Sequence, residues 1–179
     1  FFELPLWLEL EGLRVVHACW DDWSVGSLIE SSDGPRMSHD LLVKASNPNL
    51  PEYKAVETLL KGCEARLPIG ISFLDKDGNR RDAVRVQWWK QNPINLGDIA
   101  LPMGVDIGRA SSLAPPDDIP TYDLRAKPCF VGHYWLNGNP CPLSDNVACL
   151  DYSVAKQGKL VAYRWSGESS LTSDNFTFI

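Results

Sequence analysis

Two short apolar runs near opposite ends of the chain end in the same way, and they constrain the fold more than anything else in the sequence. One reads Val15-Val16-His17-Ala18 and the other Phe130-Val131-Gly132-His133, with about 115 residues between the two histidines. Each run has the length and β-branched or aromatic content of a buried strand, and each places its histidine where the strand stops. Other strand-like segments flank them. Residues 5–9 and 13–18 form a candidate hairpin about Glu11-Gly12, and residues 147–154 and 159–165 another about Gln157-Gly158. Strands thus cluster at both ends, with a helical and loop-rich stretch between them.

That middle stretch has its own signals. Asp21 or Ser24 is placed to cap a short helix reaching about residue 31. Pro51 opens a clearer helix in which Tyr53, Val56, Leu60, Cys63 and Leu67 recur at steps of three and four, until Pro68 and Gly70 stop it. Residues 69–74 and 83–89 read as paired strands about Lys76-Asp77-Gly78-Asn79, Asp-Gly being a strong hairpin signal. Residues 91–127 are rich in proline and glycine and read as long loops. The expected class is α/β, with an insertion at about residues 32–127 that carries a helix and a hairpin.

Composition excludes several classes of protein. The chain has 17 Lys+Arg against 23 Asp+Glu, a formal charge of −6, which argues against generic binding to nucleic acid or to an anionic membrane. No apolar run approaches the roughly 20 residues of a membrane span, and no signal peptide is visible. The five cysteines follow no paired spacing. They read as reduced thiols of a cytoplasmic protein rather than as a zinc site.

Imidazole is the commonest metal ligand, and a strand end fixes its position. A lone strand-end histidine is nevertheless more often a plain hydrogen-bonding residue, and two ligands alone do not make a metal centre. Gly132 leaves room beside His133 for a metal or phosphate to approach the backbone. Arg80, Arg81 and Arg85 are candidate phosphate clamps, since guanidinium grips phosphate in two-pronged fashion, although Arg85 also reads as a solvent-facing strand residue. His39 reads as a helix-start or surface residue. Trp88-Trp89 reads as a base-stacking platform or as cover over a small core of the insertion. Asp21 and Asp22 would orient His17 or simply cap a helix.

The two histidine strings resemble the His-Ala and Gly-His motifs of calcineurin-like metallophosphoesterases, in the branch of the phosphoprotein phosphatases and diadenosine tetraphosphatases. Asn146-Val147-Ala148-Cys149-Leu150-Asp151-Tyr152 resembles the strand that follows Gly-His in that family, and Gly158-Lys159-Leu160-Val161-Ala162-Tyr163 its closing strand. The resemblance covers residues 5–20 and 128–166. It implies the C-terminal half of a two-sheet β-sandwich flanked by helices, and a metal-dependent phosphoester hydrolase. His17 and His133 would then be ligands of one metal in a pair of divalent cations, manganese, iron or similar. Substrates would be a phosphoprotein or a phosphorylated small molecule such as a dinucleoside polyphosphate.

Two departures from the pattern matter. Asp-x-His, Gly-Asp-x-x-Asp-x-Gly and Gly-Asn-His-Asp/Glu are not found in the sequence. In the family they precede His-Ala, so the expectation is a C-terminal portion whose missing motifs lie upstream of Phe1, inactive alone and prone to self-association. After Gly-His the family usually has Thr, often with Pro, whereas here it is Tyr134-Trp135; Tyr134 either bonds a phosphate or packs. The rival readings are a non-catalytic binding or interaction domain and a degenerate, metal-free phosphatase-like protein.

Overall fold

Strand β1, Trp7–Glu9, and strand β2, Arg14–Val16, open the chain as an antiparallel hairpin, with Trp7 opposite Val16 and Glu9 opposite Arg14. Helices α1 (Asp22–Ser31), α2 (His39–Lys44) and α3 (Pro51–Lys61) follow. Then come β3 (Glu64–Arg66), β4 (Phe73–Leu74), β5 (Arg80–Arg81), β6 (Ala83–Val86) and β7 (Ala100–Leu101). The last five strands are β8 (Cys129–Val131), β9 (Val147–Cys149), β10 (Asp151–Tyr152), β11 (Lys159–Tyr163) and β12 (Phe176–Phe178). The computed structural model describes residues 2–31, 34–75 and 78–179. Among the described residues the class is mixed α/β, built from several small sheets and three short α-helices. The chain divides into two units, Phe1–Lys61 with Asp123–Ile179, and Gly62–Tyr122.

The first unit holds a four-stranded sheet in the order β1-β2-β8-β9, in which β2, β8 and β9 run parallel. Their runs are apolar because both faces are covered, as expected of parallel strands. Val15, Phe130 and Ala148 stand in one register row, and Phe130 and Ala148 share a core cluster with Leu171. Tyr163 of β11, Phe176 of β12, Trp165 and Val15 pack against that cluster. The alternate residues Val16, Cys129, Val131, Val147 and Cys149 are also buried. The second sheet of this unit, β10-β11-β12, is antiparallel. The expected strand over 147–154 is therefore two strands, one in each sheet. β12 had no counterpart in the sequence reading.

Capping sets the helix starts. The Asp21 carboxylate accepts from the Ser24 amide at 2.9 Å and so caps α1, and the Ser38 hydroxyl accepts from the Leu41 amide at 3.0 Å to start α2. His39 begins α2, its ring 4.6 Å from that of Phe2. α3 buries Glu52, Ala55, Val56 and Leu59 and ends at Lys61, six residues short of the expected Leu67. Gly62 takes φ +85°, a left-handed exit that glycine adopts without penalty. α2 and α3, although inside the expected 32–127 insertion, belong to the first unit.

In the second unit β6 lies between β3 and β7. The expected pairing of 69–74 with 83–89 is replaced by three others. β4 pairs with β5, and β6 pairs with β3 and β7. Lys76 and Asp77, at the tip of the expected turn, lie outside the described residues. The chain leaves its strand at Val86, so Trp88 and Trp89 are both buried, at 1% and 5% exposure, with Trp88 edge-on to Trp89 and to Tyr122. They line the small core of this unit and offer no open face for a base.

Candidate functional site

Because β2 and β8 are neighbours and parallel, their C-terminal ends open on the same edge of the sheet. Strand ends of this kind are where α/β sheets gather ligands. The register continues one step past the strands, where the Gly132 amide donates to the His17 carbonyl at 2.9 Å. The imidazoles that follow are thereby brought together, with centroids 5.2 Å apart and planes inclined at 63°. His17 is exposed and His133 partly buried, so neither is a core residue.

The two histidines are mounted differently. His17 leads into Ala18, Cys19 and Trp20, all buried, and the Ala18 amide donates to the Leu59 carbonyl of α3 at 2.9 Å. His133 has φ +69°, in the left-handed region that costs a side-chain-bearing residue roughly 1–2 kcal/mol. Trp135 has φ +51°. Several bonds hold the segment between them. The Tyr134 hydroxyl donates to the Ala18 carbonyl at 2.9 Å, and the Leu136 amide donates to the Asp151 carbonyl at 2.9 Å. The Cys149 thiol lies under the same turn, 3.4 Å from the Gly132 carbonyl, and burial pushes its pKa up to about 11. Cys129, deeper in β8, is also raised by burial.

The other expected residues fall as follows. Tyr134 commits its proton to Ala18 and places its ring 5.9 Å from that of His133. It ties the two strand-end segments together. Gly132 is not demanded by space, since a Cβ there would meet the His17 carbonyl oxygen at 3.6 Å and Asp151 at 3.8 Å, both ordinary contacts. Asp21 is spent on the α1 cap, and Asp22 accepts from the Trp20 indole at 2.8 Å. Arg85 belongs to the second unit, opposite Glu64 on β3 and Leu101 on β7, with Val84 and Val86 buried on either side of it. Its Nε is buried with no hydrogen-bond partner among the described residues. Arg81 pairs with Asp75 at 2.8 Å.

The spacing of the pair suits a shared cation. Metal–nitrogen bonds of about 2.0–2.1 Å place the centroids of two adjacent imidazole ligands roughly 4.5–5.5 Å apart. The number of donors does not suffice. Among the described residues no group of three or more His, Cys, Asp or Glu side chains could hold an ion. Sequence reasoning missed the left-handed turn at His133 and the latch from Tyr134 to Ala18. Among the described residues no helix is long and apolar enough to cross a membrane. Neither the family models, the curated proteins nor the solved structures with which the chain was compared contain a match to it.

Proposed function

We propose that this chain supplies one wall of a calcineurin-like metallophosphoesterase, a hydrolase of phosphoproteins or phosphorylated small molecules in the cytoplasm. The observation that carries this reading is the pair of strand-end histidines with rings 5.2 Å apart. Further support comes from the layering of the first unit, where Val15, Phe130 and Ala148 of one sheet pack with Tyr163 and Phe176 of another, as in half of a two-sheet sandwich.

In this reading His17 and His133 hold one of two divalent cations, manganese, iron or similar. When bound, such a pair of ions acidifies a water and neutralises phosphate oxygens. The chain's own part is positional. β2 and β8 fix the two imidazoles on one sheet edge, the bond from Gly132 to His17 sets their register, and Tyr134 locks one strand-end segment to the other. The remaining four or so donors would come from outside these residues. The 179 residues alone should therefore bind divalent metal weakly and hydrolyse nothing.

The test uses the protein that carries this chain, assayed on p-nitrophenyl phosphate with Mn²⁺. His17→Ala and His133→Ala should each lower turnover by about 100-fold or more, with unchanged circular dichroism; removing even a group that merely orients a metal ligand costs about 10–100-fold. Turnover unaffected by either change would overturn the reading. A protein that binds phosphorylated ligands without any turnover would favour the non-catalytic alternative.

A further inference from the structure

Beyond the turn that carries His133 the chain runs through Leu136-Asn137-Gly138-Asn139, a segment held at both ends and not in its middle. On the near side the Leu136 amide donates to the Asp151 carbonyl at 2.9 Å, and the Ser153 hydroxyl donates to the Leu136 carbonyl at 3.4 Å. On the far side the Lys159 ammonium donates to the Gly138 carbonyl at 2.8 Å and to Oδ1 of Asn139 at 3.0 Å. Between these anchors neither the Asn137 side chain nor the Gly138 amide has a hydrogen-bond partner among the described residues. Asn137 is exposed. Gly138 takes φ +84°, and nothing lies within 4 Å of the place that a Cβ would occupy there.

An asparagine amide carbon can be attacked by the backbone nitrogen of the next residue, provided that nitrogen carries a proton to lose and no side chain blocks the approach. Every other asparagine in the chain precedes proline, which has no N–H, or Leu, Arg, Val or Phe. Asn137 alone precedes glycine. We infer that Asn137-Gly138 is a self-modification site at which the loop beside the His133 turn deamidates. The Gly138 nitrogen bonds to Cγ of Asn137, the Cγ–Nδ2 bond breaks, and the Gly138 proton leaves with the amide nitrogen as ammonia. Water then opens the cyclic imide. Opening at Cγ gives an aspartyl residue. Opening at the main-chain carbonyl gives an isoaspartyl residue, whose main chain runs through Cβ and is longer by one carbon. That extra carbon falls between the two sets of anchors. Lys159 is bonded twice and lies 4.0 Å from the centroid of Phe178, whereas the Ser153 bond to Leu136 is long and weak, so the Leu136 side gives first. Leu136 directly follows the left-handed Trp135, and its release loosens the arm on which His133 stands. None of this chemistry depends on a metal or on a phosphorylated ligand.

The test ages the protein that carries this chain in mildly alkaline buffer, digests it at mildly acidic pH, where ring closure is slow, and maps the peptides by mass. The peptide holding Asn137 should gain the mass of an amide exchanged for an acid, in two products, one of them a substrate for an isoaspartyl methyltransferase. Its rate in the native protein should lie within about 30-fold of its rate in urea, the factor that fixing the backbone of one residue can cost. Asn137→Gln, whose longer side chain closes its ring slowly, should remove the signal from that peptide and leave the rest of the map unchanged. Exchange of the Leu136 amide hydrogen should be roughly 2- to 12-fold faster in the aged protein than in the fresh one, the worth of one hydrogen bond. Asn137→Asp carries the new charge without the longer main chain and should exchange there as the fresh protein does. A native rate more than about 30-fold below that in urea, or a mass gain confined to other peptides, would overturn the site. Leu136 exchange unchanged by ageing, or raised equally by Asn137→Asp, would overturn its coupling to the His133 arm.

Discussion

His17 and His133 leave neighbouring parallel strands by opposite means. After His17 the chain goes directly into the interior, through Ala18, Cys19 and Trp20, and is bonded to α3. After His133 it stays outside, passes through two left-handed residues and is bonded back onto the first segment by Tyr134. One histidine therefore stands on a mount that packing would create in any case. The other stands on a strained arm that costs stability and is held by a few hydrogen bonds. Packing alone gives no reason for a left-handed histidine in this turn, and the difference locates the cost of the site on the His133 side.

The largest effect should come from breaking what the two arms share. Phe130 is 6% exposed, in one register row with Val15 and Ala148. Phe130→Ala should cost about 3–5 kcal/mol in a urea melt, through lost burial and the cavity left behind. A loss below 1 kcal/mol would mean that the two sheets do not depend on one another through this row.

A smaller effect, confined to the His133 arm, comes from Cys149. Burial raises this thiol from its ordinary value of 9.0 to about 11. Between those values the unfolded chain has lost the proton and the folded chain still holds it. Stability is therefore full below about pH 9 and falls as pH rises towards 11, by an amount on the order of 2 kcal/mol. Urea melts at about pH 8 and about pH 10.5 should show the fall, and Cys149→Ala should reduce it. An equal slope in the variant would assign the effect to other groups, the buried Cys129 first among them.

The smallest effect has the opposite sign. His133→Gly removes a side chain from left-handed backbone, and the relief should exceed the added freedom of the unfolded chain by roughly 0.5–1 kcal/mol. His17→Gly, with no such strain, should gain nothing. A His133→Gly variant less stable than the parent by more than 1 kcal/mol would show that the imidazole is held for packing.

The contrast between the arms also marks what could be read from sequence. The strand bodies were legible, because Val15-Val16 and Phe130-Val131 are apolar on both faces and end at a glycine or a polar residue. The meeting of the two histidines followed once their strands were neighbours. The end of α3 was not legible. Cys63 and Leu67 continue the helical spacing of Val56 and Leu60, but four-residue steps also fit a strand, and Cys63, Ala65 and Leu67 are buried alternately about β3. Only the φ of Gly62 decides between them. The pairing of β6 with β3 was hidden by the same ambiguity. The left-handed turn at His133 was hidden for another reason, since no residue type in Gly132-His133-Tyr134-Trp135 requires it.

Whether His17 and His133 act on one ion is tested most directly by a double-mutant cycle on Mn²⁺ affinity. In the protein that carries this chain, His17→Ala and His133→Ala should each weaken Mn²⁺ by similar factors. The double variant should lose little more than either single one, because ligands of one ion fail together. Losses that add in full, or an affinity that either single change leaves untouched, would contradict it.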